Sequence, residues 1–136
     1  MDASVVMKLF VEEEWSGEAR AFFARFERSD AYLLAPDLLY LECANGLVKQ
    51  VQRSVLALER AVAALQILRT GPINIVPTWL VVDDALQTAV HHGLTAYDAA
   101  YVALARMFDA MVVSDDRRML AGARASGLGA RHVSEV

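Results

Sequence analysis

Apolar residues at Val5, Val6, Leu9 and Phe10 recur at helical spacing just after Ser4, which is placed to cap them, so a helix is expected almost at the start of the chain. Residues 16 to 28 repeat the pattern, with Ser16 as cap and Ala19, Phe22, Phe23 and Phe26 on one face. The short apolar run AYLLA at 31 to 35, bounded by Pro36, reads as a buried strand feeding a helix with proline in its first turn. That helix carries Leu38, Leu41, Glu42, Asn45 and Val48, which puts Glu42 and Asn45 on one face. Further helices fit 54 to 69, Thr78 to His92 ending at Gly93, Thr95 to Met107, and 116 to 126 ending at Gly127. Strands fit INIV at 73 to 76, AMVVS at 110 to 114 and RHVS at 131 to 134. Strands of nearly continuous apolar character alternating with helices imply an α/β fold with a central, mainly parallel sheet covered by helices on both faces.

Composition narrows the classes. The 136 residues make one domain, 1–136, and the 56% hydrophobic content implies a buried face beyond a monomer core, such as a subunit contact. The longest apolar stretch, INIVPTWLVV, is too short to span a membrane. A single cysteine, Cys43, forbids an internal disulfide and makes a reducing cytoplasm the expected location. A net charge of −4 argues against a broad basic footprint on nucleic acid, so a phosphate-bearing substrate must be held locally.

The candidate chemistry is acidic. Open parallel sheets bind ligands beyond the carboxyl ends of their strands, where Asp115 and Asp116 fall and Asp2 is also expected, while Glu42 and Asp98 open helices. Each acid has an ordinary structural reading. TAYD at 95 to 98 matches a capping box, and Asp115 or Asp116 can cap the last helix. Glu42, however, sits in LLYLECANGLV, where water is not its obvious partner. Carboxylates without a histidine or thiolate nearby suit a hard cation, Mg²⁺ or Mn²⁺. His91 and His92 are adjacent and His132 stands alone, so helix-end or surface roles are expected for all three. Cys43 reads as a buried helix residue.

Four pieces, DASVVMKLF at 2 to 10, ECANGL at 42 to 47, LTAYDAAYVALA at 94 to 105 and VVSDDRRM at 112 to 119, together resemble the PIN-domain ribonucleases, specifically the toxins of VapBC toxin–antitoxin pairs. The resemblance implies a PIN-like three-layer α/β/α fold and metal-dependent hydrolysis of RNA. It implies that Asp2, Glu42, Asp98 and Asp116 hold Mg²⁺ or Mn²⁺, one ion on Asp2, Asp98 and Asp116 with Glu42 nearby. Ser4 and Ser114 become supporting hydroxyls and Asn45 a partner behind the acids, while Arg117 and Arg118 are candidates for the RNA backbone. Strand alternation agrees in pointing Asp116 with Ser114 and Asp115 away, leaving Asp115 a cap or a solvated neighbour. A homodimer is implied, as is an antitoxin whose arginine enters the acidic pocket. Only Met1 precedes Asp2 where the family has a full strand, so the first strand is expected to be truncated. Two other classes stay open: a haloacid-dehalogenase-like phosphatase, which needs an acid where Ser4 stands, and a non-catalytic interaction module with an acidic pocket.

Overall fold

The computed structural model describes residues 1–26 and 31–136. Helix α1 (Ala3–Met7) is capped by Asp2, whose carboxylate accepts the Val5 amide, so Ser4 lies inside the helix it was expected to cap. Leu9 and Phe10 follow in tight turns, their amides donating to the carbonyls of Val6 and Met7, and both still pack against the core. Helix α2 (Ser16–Phe26) begins at Ser16. The Ser16 hydroxyl accepts the Glu13 amide and donates to the Val11 carbonyl, so it staples the preceding loop. The expected continuation of this helix to 28 lies outside the described residues.

Strand β1 (Leu33–Pro36) pairs in parallel with β2 (Ile73–Val76). Pro36 closes the strand rather than opening the next helix, and α3 (Leu39–Gln52) starts three residues later. A second parallel pair joins β3 (Val112–Ser114) to β4 (Ala130–His132). The expected central sheet is thus two parallel pairs, with Met1 and Asp2 spanning the space between them. The Met1 nitrogen donates to the Leu34 carbonyl at 3.2 Å, and the Asp2 amide donates to the Val113 carbonyl at 3.3 Å.

Helix α4 (Leu58–Thr70) begins later than the apolar pattern suggested. The expected helix from Thr78 divides into a 3-10 turn, Thr78–Leu80, and α5 (Val82–His92). Gly93 ends α5 at φ +63°, a left-handed backbone that a side chain would strain. Helix α6 (Ala96–Met107) then folds back on α5 along a seam of small residues. Ala85 and Ala89 meet Ala99, Ala100 and Ala103, and the short side chains let the two helices come close. The other face of α6 buries Tyr101, Val102 and Ala105 in the main core, beside β1 and β3. Helix α7 (Arg117–Ala125) covers β3 and β4, and a short 3-10 turn, Val133–Glu135, ends the chain.

Close packing of α1 on α3 depends on Gly46. A Cβ there would stand 3.0 Å from Met7 Cε, so glycine leaves room for the Met7 side chain against α3. The same packing sets α1, whose cap is Asp2, against α3, which carries Glu42.

Candidate active site

Asp2 is the best-enclosed acid among the described residues, 5% exposed where Met1–Asp2 meets β3. Ser4 Oγ donates to one carboxylate oxygen at 2.8 Å and Ser114 Oγ to the other at 2.9 Å. Burial holds the Asp2 carboxyl above its ordinary pKa, while the two hydroxyls, the terminal ammonium and the Val5 amide pull in the opposite direction. Each serine also receives an amide from the turn after β3. Asp115 N–H donates to Ser4 Oγ at 3.0 Å, and Asp116 N–H donates to Ser114 Oγ at 2.8 Å. Asp2 and Asp116 are therefore tied together through one buried hydroxyl.

The Asp116 side chain caps α7, accepting the amides of Arg118 at 2.7 Å and Met119 at 3.2 Å. Glu42, in the first turn of α3, accepts the Tyr101 hydroxyl at 2.5 Å. Burial raises the Glu42 pKa and the negative charges of Asp2 and Asp98 add to the rise, while the Tyr101 hydrogen bond opposes it. Asp2, Glu42 and Asp98 thus share one electrostatic neighbourhood. Thr95 Oγ1 accepts the Asp98 amide, so the expected capping box is half formed, and the half-buried Asp98 carboxylate makes no hydrogen bond among the described residues.

The structure divides the remaining sequence candidates. Asp115 is neither a cap nor a solvated neighbour: Asp116 does the capping, and Asp115 pairs with the buried Lys8 at 2.8 Å and with His132 Nε2 at 2.9 Å. His132 takes the helix-end role that the sequence allowed, its side chain capping the 3-10 turn at Val133–Glu135, and it is not a bare surface residue. Asn45 is exposed and makes no hydrogen bond to any of the four acids. Arg118 donates to the Gly93 carbonyl at 3.0 Å and so ties α7 to the end of α5. Arg117 is exposed, in a shallow pocket that it shares with Arg124 and His132.

Sequence reasoning missed Tyr101 and Lys8. Tyr101 follows Asp98 by three residues, which places both on one side of α6, and that spacing was a usable signal. Lys8 stands as the lone charge within VVMKLFV, a sign that it would be carried into the core.

Among the described residues, no three histidine, cysteine or acidic side chains are gathered closely enough to hold a metal ion. The donor chemistry nevertheless fits a hard cation, since carboxylates and hydroxyls are the groups present. No lysine, arginine or histidine pairs with Asp2, Glu42, Asp98 or Asp116 among the described residues. The charges of Asp2 and Asp98 raise the proton affinity of Glu42 with no basic side chain beside it to offset them, a condition that a bound cation relieves.

An α/β fold that assembles spaced acids around its parallel strands defines a class, and the family comparison agrees: residues 1–125 match the model of the PIN domain, so the chain belongs to the PIN-domain family. Among individual proteins, it is 33% identical over 121 residues to Ribonuclease VapC3 of Pyrobaculum aerophilum, an alignment covering 88% of this chain and 89% of the relative. It also resembles the crystal structure of PAE2754 from Pyrobaculum aerophilum, with a TM-score of 0.70 and 25% identity over 98% of this chain and 89% of that one.

Proposed function

We propose that this chain, a PIN-domain ribonuclease of the VapC type, hydrolyses RNA phosphodiester bonds with Mg²⁺ or Mn²⁺ held by Asp2, Asp98 and Asp116, with Glu42 beside them. The observation that carries the reading is the shared field of Asp2, Glu42 and Asp98, in which the charges of Asp2 and Asp98 raise the proton affinity of Glu42. A divalent ion there supplies a more acidic bound water and neutralises charge building on the phosphate. The chain's own residues orient the acids. Ser4 and Ser114 fix both oxygens of Asp2, and Tyr101 directs one oxygen of Glu42. Asp98 keeps its carboxylate free of the fold, so its oxygens are available to a ligand.

The same reading extends to partners and place. The enzyme works in the cytoplasm, is silenced by an antitoxin that brings an arginine to the acidic pocket, and pairs with a second copy of itself. Exposed Val82, Leu86 and Val90 at four-residue spacing on α5, with Trp79 73% exposed beside them, support an apolar contact surface. No helix of the described residues is long and apolar enough to cross a membrane.

Asp98→Asn is the sharpest test, because this carboxylate makes no hydrogen bond among the described residues. RNA cleavage should need added Mg²⁺ or Mn²⁺ and stop with chelator, and Asp98→Asn should lower it by orders of magnitude at an unchanged melting temperature. Chelator-resistant cleavage, or an Asp98→Asn variant as active as the parent, would refute the site.

A further inference from the structure

Lys8 is 3% exposed and is the one buried lysine or arginine among the described residues. An ammonium carried out of water needs a partner held in place. Its Nζ lies 2.8 Å from Asp115 Oδ2, with Glu13 more distant at 3.7 Å. Asp115 Oδ1 is taken by His132 Nε2 at 2.9 Å. On the far side of that ring, Nδ1 accepts the Ser134 amide at 3.2 Å, so the imidazole proton sits on Nε2 and points at Asp115. Trp15 packs edge-on against the same ring, with centroids 6.3 Å apart. Both oxygens of Asp115 are therefore fixed, one by a buried cation and one by an oriented imidazole.

Residue 115 also grips both ends of α1. Its backbone N–H donates to Ser4 in the first turn, and its carboxylate holds Lys8, which caps the last turn. Helix α1 is only five residues long, too short to hold a position by its own hydrogen bonds. Asp2 rides on its N-terminus, and Asp116 follows residue 115 in the chain. A shift at residue 115 would change the distance between those two acids directly.

We infer that Lys8, Asp115 and His132 form a positioning clamp that locks α1 to the turn between β3 and α7 and so sets Asp2 and Asp116 at the spacing the active site needs. The inference rests on the reading of Asp2 and Asp116 as metal-holding residues. None of the three clamp residues touches substrate or ion in this scheme; they act through the elements that they hold.

The test compares the parent chain with Lys8→Met, Asp115→Asn and a control, Arg20→Gln, which breaks the exposed pair with Glu12. Two quantities are read: Mn²⁺ affinity by calorimetry, and amide hydrogen exchange of Val5 and Asp116 in chelator. The clamp variants should weaken Mn²⁺ binding by about 10- to 100-fold, as loss of groups supporting metal ligands does. Exchange at Val5 and Asp116 should accelerate in both, while Arg20→Gln matches the parent. If Lys8→Met does not fold, Asp115→Asn decides, since its side chain is one-third exposed and tolerates the change. Parental affinity and parental exchange in Asp115→Asn would overturn the clamp. If the parent itself binds no Mn²⁺, the metal reading falls, and exchange alone then judges the clamp: faster supports it, unchanged overturns it.

Discussion

Ser114 and Asp2 stand 112 positions apart in the chain and are joined by a 2.9 Å hydrogen bond at the centre of the acidic site. Ser114 is fully buried, and its one oxygen also accepts the Asp116 amide. Ser114→Ala removes both contacts without adding bulk. It leaves a buried carboxylate short of a donor and a backbone N–H short of an acceptor, for a cost of about 1–3 kcal/mol. The melting temperature should fall by several degrees, and cleavage should drop because Asp2 and Asp116 lose their common anchor. Thermal unfolding and a single-substrate rate assay measure the two effects; an alanine variant with parental values in both would show that the hydroxyl is idle.

Asp116 has two duties that substitution can separate. Its carboxylate caps α7 through the amides of Arg118 and Met119, and in the proposed site it also holds the ion. Asparagine caps helices about as well as aspartate, whereas alanine at such a position costs about 0.5–2 kcal/mol. Asp116→Asn should therefore melt near the parent and Asp116→Ala below it, with both nearly inactive on RNA. Retained cleavage in the asparagine variant would remove Asp116 from the ligand set and leave it a cap alone.

The sequence carried the fold where period and punctuation agreed. Gly93 and Gly127 end α5 and α7 in left-handed conformations, as their positions after apolar periodic runs implied. It misplaced the start of α4 and the reach of α1, where no glycine or proline marks the boundary and tertiary contacts decide. Helix α1 was harder still, because its cap is also the central acid. Asp2 accepts the Val5 amide while binding two serines, one of them from the far end of the chain, and no local pattern announces a contact of that range. Strand alternation set Asp115 and Asp116 on different sides, and their side chains do have different partners, but the sequence did not show what the partner of Asp115 would be. Lys8 reaches it only because α1 crosses β3, a relationship set by packing and not by spacing.

Cys43 follows Glu42 on α3 and is fully buried. Burial and the neighbouring charges of Glu42 and Asp2 push its thiol from an ordinary 9.0 up to about 12. Between those values the folded protein holds a proton that the unfolded chain releases, so Cys43 contributes stability below pH 9.0 that is lost as pH rises toward about 12. Alkylation at about pH 8 should consequently be slow in the native state, limited by opening of the structure, and should accelerate steeply in urea. Mass spectrometry after a timed pulse of reagent reads this directly. Rapid native labelling would mean that α3 opens locally near the acids.

Tyr101 and Glu42 provide a pH test of the site. The Tyr101 phenol keeps its proton, since burial first and then the charge of Glu42 oppose ionisation, and it donates to Glu42 Oε2. Glu42 is raised above 4.5 in the folded protein by burial and by its acidic neighbours, and the Tyr101 bond partly offsets this. The metal-free protein therefore binds an extra proton above pH 4.5, and the associated stability is lost as pH rises through the raised Glu42 pKa. Tyr101→Phe removes the hydrogen bond that favours the ionised carboxylate, so its penalty should be small where Glu42 is protonated and larger where it is charged. The expected difference in melting temperature from the parent, measured in chelator, is modest at about pH 4 and several degrees at about pH 8, the larger value matching about 1.5–3 kcal/mol for a hydrogen bond to a charged group. Equal differences at both pH values would show that the hydroxyl does not discriminate the charge state of Glu42. Mn²⁺ affinity should fall in the same variant, because a carboxylate that resists ionisation binds a cation less well. Parental affinity in Tyr101→Phe would place Glu42 outside the metal site while leaving Asp2, Asp98 and Asp116 to be judged by their own substitutions.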